Sequence, residues 1–243
     1  MEKVKDCESK SKSYEECFKK IAEELFYKYK IVLKDKEGKE VESFFLTEVE
    51  FYYYDKKNHP DPFVHCECYQ KKMGIYLHKS GRGGIDLTFG DGENYLGILI
   101  RGVEFDDMTY ANGPIKVVDA ILKKIKKEYE IKAENENEIY KKLSENNDGS
   151  IDQYIEIYPI EPNQYNEKKI FVAPRIGLYS RCPNSYQVRN YRFILDGIGF
   201  SFEEKTFVEK LNHEDIIDVS DIYGGSEEKK KLRAKRIYEH YCK

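Results

Sequence analysis

The sequence predicts an α+β fold in a single domain, residues 1–243, with a mostly antiparallel curved β-sheet core and peripheral helices. Three observations lead there. Runs rich in β-branched and aromatic residues follow one another through short turns containing Gly, Asn or Asp, the pattern of consecutive hairpins. Two long stretches have apolar residues at helical spacing. No repeat and no linker-like segment divides the 243 residues, a length that one large domain can fill.

The elements follow in order. Ser13 and Glu16 form a capping box, after which Cys17, Phe18, Ile21, Ala22 and Leu25 recur on one face, predicting a helix over about 14–27. Tyr29 to Leu33, a turn at Lys36-Glu37-Gly38-Lys39, and Val41 to Tyr54 read as a hairpin with a long second strand. Strict alternation along that strand puts Phe44, Leu46, Glu48 and Glu50 on one face and Phe45, Thr47, Val49 and Phe51 on the other. A carboxylate pair on an otherwise apolar face calls for an explanation. Asn58 to Phe63, with two prolines, is a loop. Gly74 to His78 is a short strand, Ser80-Gly81-Arg82-Gly83-Gly84 a turn, and Ile85 to Phe89 the next strand. Gly90 to Glu93 turns into a strand over Tyr95 to Glu104. Pro114 opens a helix to about 129, with Val118, Ile121, Leu122, Ile125 and Tyr129 as its stripe. Residues 132–150 form a polar connector with room for a short helix. Strands are expected at 153–158, 170–172 and 190–195, and a basic helix near 227–241.

Composition narrows the function classes. Lys+Arg 41 against Asp+Glu 45 gives a formal net charge of −4, which excludes a uniformly cationic nucleic-acid surface. An aromatic share of 14% is too high for a disordered chain. Apolar runs such as Gly97 to Val103 fall short of the roughly 20 residues of a membrane helix, and Met1 to Lys12 is charged. Neither a membrane span nor a signal peptide is expected. Six cysteines without repeated spacing suggest reduced thiols in a cytoplasm. Cys66 and Cys68, one residue apart on a strand, have poor geometry for a disulfide.

Glu48-Val49-Glu50-Phe51-Tyr52, Asp61-Pro62-Phe63-Val64-His65 and Leu99-Ile100-Arg101 bring carboxylates, aromatics, an imidazole and a guanidinium to a strand bundle. A carboxylate held beside an arginine can take a proton from water, and flat rings can sandwich a flat ligand. The bland alternative is a set of solvated or ion-paired residues.

These blocks resemble the alkyladenine (3-methyladenine) DNA glycosylase family, whose domain is formyltransferase C-terminal-like. Ile21 to Phe26 followed by Ile31-Val32-Leu33 resembles the family's opening helix and strand, and Glu48 to Tyr52 its E-x-E-a-Y strand. Asp61 to His65 resembles its acidic loop, and Arg101-Gly102-Val103-Glu104 its L-R-A-x-E-P strand. Gly113-Pro114-Ile115-Lys116 is similar to its G-P-x-K. Ala173-Pro174-Arg175-Ile176-Gly177 is similar to its A-x-R-(I/V)-G, and Tyr191-Arg192-Phe193 to its closing strand. The resemblance spans roughly residues 18–195.

The resemblance implies a cofactor-free glycosylase acting on DNA with a damaged purine in base-excision repair. Glu50 would be the general base and Arg101 its partner in holding the water. Tyr52 and His65 would sandwich the extruded base, His78 would stand where the family has a second stacking aromatic, and Asp86 where it has a pocket Asn. Arg82 and Lys116 would contact DNA. The turn 80–84 is shorter than the family's hairpin and lacks its wedge aromatic. Cys66-Glu67-Cys68-Tyr69-Gln70 replaces a Gly/Thr/Arg/Asn-rich segment. An ionised Asp86 offers only acceptors, so it would receive the 2-amino group of guanine that the family's Asn helps to reject. Two alternatives keep the fold: a nucleobase, nucleoside or nucleic-acid-end binding module, and a hydrolase of free nucleosides.

Other motifs are weaker. His59, His65, Cys66 and Cys68 have the residue types of a zinc site but no standard spacing, so no metal is assigned. Gly90-Asp91-Gly92 lacks the rest of a phosphate loop. Lys116, Lys123, Lys124, Lys126 and Lys127, and Lys229 to Arg236, make two basic stretches, either solvated faces or phosphate contacts.

Overall fold

A computed structural model describes residues 13–78, 83–145, 149–161, 168–178, 185–187 and 189–195. Arg82 and the basic stretch 227–241 lie outside the described residues. Among the described residues, ten strands form one sheet: β1 (Tyr29–Lys34), β2 (Glu40–Asp55), β3 (His59–Pro60), β4 (Met73–Leu77), β5 (Ile85–Phe89), β6 (Tyr95–Phe105), β7 (Tyr110–Asn112), β8 (Ile155–Pro159), β9 (Ile170–Ala173) and β10 (Arg192–Leu195). Helices are α1 (Tyr14–Lys28), α2 (Pro114–Glu128) and α3 (Glu136–Glu145). The main path is β4-β5-β6-β2-β1-β8, and all its ladders are antiparallel. The α+β architecture expected from the hairpin pattern holds. No helix among the described residues is long and apolar enough to cross a membrane.

Local chemistry accounts for the helices. The Ser13 side chain accepts a hydrogen bond from the Glu16 amide and caps α1, which buries Cys17, Phe18, Ala22, Leu25 and Phe26. Gly113, at φ +98°, ends β7, and Pro114 then starts α2, whose Val117, Val118, Ile121, Leu122 and Ile125 are buried. α1 and α2 cover the core face of the sheet, where Phe18 stacks on Phe51 at 4.8 Å. The core helix α1 also corrects the expectation of six reduced thiols: buried Cys17 is disulfide-bonded, with its partner outside the described residues. Cys66 and Cys68 are free, and lie at a turn and the 3-10 turn Cys68–Lys71 instead of on a strand.

β2 organises the molecule. One side of it pairs with β6 along its length; the other pairs first with β1 and then with β10. Its alternation is broken. Leu46 pairs with Val103, Glu48 with Gly102, and Val49 with Ile100, so Thr47 is an extra residue on β2 and Arg101 an extra residue on β6. Paired bulges switch the parity of both strands. Phe44 and Leu46 therefore share the core face with Val49, Phe51 and Tyr53, while Glu48, Glu50 and Tyr52 leave it. On β6, Leu96, Ile98 and Ile100 share it with Val103 and Phe105, and Arg101 leaves it. The face shared by Phe44, Leu46, Glu48 and Glu50 in strict alternation does not exist, which answers the question that the carboxylate pair posed.

The ends of the sheet approach each other. Ile151 donates its amide to the Ile75 carbonyl at 2.9 Å, the Ile75 amide donates to Asp152 Oδ1 at 2.8 Å, and Tyr76 bridges to Ser150. The segment before β8 thus laces it to β4 and curls the sheet into an open barrel. A cavity of about 630 Å³ opens at this seam on the core side, lined by Leu25, Ile75, Leu96 and Ile155. It is mostly apolar, with Glu24, Lys34, Asp152 and Glu156 also in its lining, and lies away from the charged cluster described next.

Candidate active site

On the face opposite the core, register aligns Tyr76, Asp86, Leu99, Glu50, Arg192 and Ala173 in one row across five ladders. Below this row sits a buried network. Glu48 Oε1 accepts from Arg101 Nε at 2.7 Å and from Arg192 Nε at 2.6 Å. Arg101 Nε is also 3.3 Å from Glu50 Oε1, which accepts the Ile176 amide at 2.7 Å. The Tyr52 hydroxyl donates to Glu50 Oε2 at 2.9 Å. Arg175 pairs with Asp61 at 2.8 Å, and neither is exposed. Three carboxylates, Glu48, Glu50 and Asp61, are thus matched by three guanidinium groups, Arg101, Arg175 and Arg192, as buried charges must be.

Each backbone feature has a purpose here. The bulge aims Arg101 off the core face, and the Arg101 carbonyl accepts the Gly113 amide at 2.7 Å, tying it to the start of α2. Gly102 permits the bulge, since a Cβ there would lie 2.5 Å from Thr47 Oγ1. Ile176 follows β9, and Gly177, at φ +79°, turns the chain directly after it. Burial raises the Tyr52 phenol well above its usual pKa, and the Glu50 charge adds to this, so Tyr52 is held as a proton donor.

Glu50 and Arg101 are therefore brought together as the sequence predicts. Tyr52 is also present, but the face of its ring is occupied: the Arg175 guanidinium stands 4.6 Å from its centroid. His65 is exposed, and its ring neighbour is His78, 5.8 Å between centroids, where a Tyr52–His65 sandwich was expected. His78 Nε2 lies 2.7 Å from Asp86 Oδ2. Burial disfavours the His78 cation and the Asp86 charge favours it; Asp86 prevails and the imidazole titrates above its ordinary value. Lys116 is exposed on the first turn of α2. His59, considered above for metal, is buried, with Nδ1 2.8 Å from the Tyr53 carbonyl and Nε2 2.7 Å from the Tyr191 hydroxyl.

Sequence reasoning missed four contributors: the Ile176 amide, and the roles of Glu48, Arg175 and Arg192. Arg192 had a signal, because a lone charge inside the apolar run Tyr191 to Leu195 requires a buried partner. The Ile176 contribution is a main-chain donor and leaves no side-chain signature.

No protein-family model matches the chain. It is similar to "Uncharacterized protein L759" of Acanthamoeba polyphaga mimivirus, with 27% identity over 228 residues, covering 82% of this chain and 94% of that protein.

Proposed function

We propose that this protein is a monofunctional DNA glycosylase that hydrolyses the N-glycosidic bond of a damaged purine, with Glu50 as general base. The observation that carries the reading is the setting of Glu50. Its carboxylate receives the Ile176 amide, the Tyr52 hydroxyl and the side of Arg101, all donors, on a sheet face where Asp86 lies two strands away with His78 against it. A carboxylate so fixed has acceptor capacity left for the proton of a water. In the reaction that water attacks C1′ while the bond to the base breaks, Glu50 taking the proton and Arg101 orienting the water. The resemblance of these blocks in order supports the same reading, since those that carry Glu50, Asp61, Arg101, Arg175 and Arg192 meet at this network.

The second reading is a binding module for a nucleobase or nucleic-acid end. It is favoured by the complete burial of Glu50 and by Arg175 on the Tyr52 ring. Base release from duplex and single-stranded oligonucleotides carrying alkylated or deaminated purines, and from free nucleosides, separates the readings. Glu50→Gln is expected to keep oligonucleotide binding and lower release by roughly 10²–10⁴-fold. Release from nucleosides alone would favour the nucleoside hydrolase. Binding without release by the unsubstituted protein would leave the binding module.

A further inference from the structure

We propose that the cavity at the seam of the barrel is a second binding site, for an amphipathic amine: a hydrocarbon body carrying one ammonium group. It lies on the core side of the sheet, so it goes beyond the glycosylase reading and does not depend on it. Its volume of about 630 Å³ falls within the roughly 300–1,000 Å³ of small-ligand pockets, which combine an apolar lining with a few placed polar groups. The seam explains why it exists. β4 and β8 are joined through Ser150, Ile151 and Asp152 instead of by a ladder of their own, so the sheet gapes there. α1 supplies Leu25 to a lining that Ile75, Leu96 and Ile155 continue from β4, β6 and β8, and all four are buried. Met73, 79% exposed at the start of β4, belongs to the same lining and marks where the cavity meets solvent.

Charge selects the ligand. Of the charged side chains in the lining, Lys34 Nζ is held by Glu156 Oε2 at 3.0 Å, and Glu24 Oε1 by Lys28 Nζ at 3.4 Å. Asp152 is different. Its Oδ1 accepts the Ile75 amide at 2.8 Å and its Oδ2 the Ser150 hydroxyl at 2.7 Å, both neutral donors, and no cation pairs with it among the described residues. Its charge is therefore uncompensated, and each oxygen keeps a second lone pair. A Cβ on residue 74 would lie 3.0 Å from Oδ2, so Gly74 leaves that oxygen open. An ammonium group suits this position both as donor and as cation. A fatty-acid carboxylate meets the opposite case, repelled by Asp152 while Lys34 is already engaged.

The two parts of the ligand have separate roles. Asp152 is exposed, so its pair with an ammonium sits in water and sets selectivity more than affinity. Affinity comes from the hydrocarbon, each buried methylene tightening binding about fourfold. A ligand lodged among α1, β4 and β8 binds the folded chain alone, and at about a hundred times its Kd it shifts the folding equilibrium about a hundredfold.

The test is isothermal titration calorimetry of the unsubstituted protein, near neutrality and below micellar concentrations, with hexylamine, octylamine, decylamine, decanol and decanoate. The amines are expected to bind one per chain and to tighten about fourfold per methylene. Decanol is expected to bind about two- to fivefold more weakly than decylamine, and decanoate more weakly still. Asp152→Asn keeps an oxygen for the Ile75 amide; it is expected to abolish the preference for amine over alcohol and to leave decanol affinity within about twofold. The chain has no tryptophan, so Met73→Trp places a single indole at the mouth, and its emission should change with the calorimetric midpoint. No binding of decylamine, binding without saturation, or decanoate binding as tightly as decylamine overturns the proposal without any variant. An unchanged ranking in folded Asp152→Asn, or a silent indole where calorimetry shows binding, overturns it as well.

Discussion

His59 shows how much a single buried side chain can decide. Its Nδ1 donates to the Tyr53 carbonyl, which can only accept, so Nε2 is the acceptor for Tyr191, whose oxygen also receives Arg189 at 3.0 Å. Burial lowers the imidazole from 6.5 to about 4, with the Tyr53 bond opposing the shift. A lowered histidine pKa means that the unfolded chain binds the proton more readily, so stability is intact above pH 6.5 and is lost as pH falls toward 4. The loss amounts to about 3 kcal/mol. Urea unfolding of the unsubstituted protein and of His59→Gln at steps through that window checks it: the substitution is expected to flatten this part of the pH dependence. At the same scale, Asp61 and Arg175 are a pair without exposure, and Asp61→Asn leaves a buried guanidinium uncompensated. A loss of about 3–5 kcal/mol is expected in the same assay. Residue identities were legible where the sequence names the chemistry, as for Glu50 and Arg101. They were not legible for contacts set by packing, as for Arg175 over Tyr52 or His78 beside Asp86. The latter also revises the guanine argument, because one Asp86 oxygen belongs to His78 and only Oδ1 remains for a base.

Among the elements, the boundaries of α1, α2, β5 and β6 fall within a residue or two of the sequence expectation, since caps, prolines and apolar periodicity are local signals. The parity of β2 was not legible. Alternation assumes an unbroken ladder, and a bulge is a relation between two strands that neither sequence states alone. The bulge is nevertheless what separates the carboxylates from the core. Gly102 is its weakest point: a Cβ there would be 2.5 Å from Thr47 Oγ1 and 3.0 Å from Glu48 Cβ. Gly102→Ala is expected to destabilise the fold by about 1–3 kcal/mol and to reduce base release through displacement of Glu48 and Arg101. Adding Thr47→Ala removes the nearest clashing atom, so the double variant is expected to recover part of the loss. Full additivity of the two substitutions in thermal unfolding would show that the clash does not control the bulge.

At the scale of the whole molecule, charge is distributed in a way that constrains how the proposed DNA substrate would be held. The formal charge is −4, and the basic stretch of α2 is partly spent within the protein: Lys123 pairs with Glu136 and Lys124 with Glu42. Elsewhere on the sheet Lys30 pairs with Glu40, Lys34 with Glu156 and Lys168 with Glu104. These paired lysines attract phosphate less, since a lysine beside a carboxylate releases few counterions when DNA arrives. The sequence offers a second source in Lys229, Lys230, Lys231, Arg233, Lys235 and Arg236. If these residues neutralise phosphates, the logarithm of the duplex binding constant should fall with the logarithm of salt at a slope of up to about −5. A chain ended after residue 226 should bind more weakly at low salt and show a slope near −1 or −2. Fluorescence anisotropy with a labelled duplex between about 50 and 200 mM salt measures both slopes. Equal slopes for the two chains would place the phosphate contacts on the described residues, with exposed Lys116 the first to substitute. A flat response in both would mean that duplex is not the substrate, and the site would be left to a nucleoside or a short single strand.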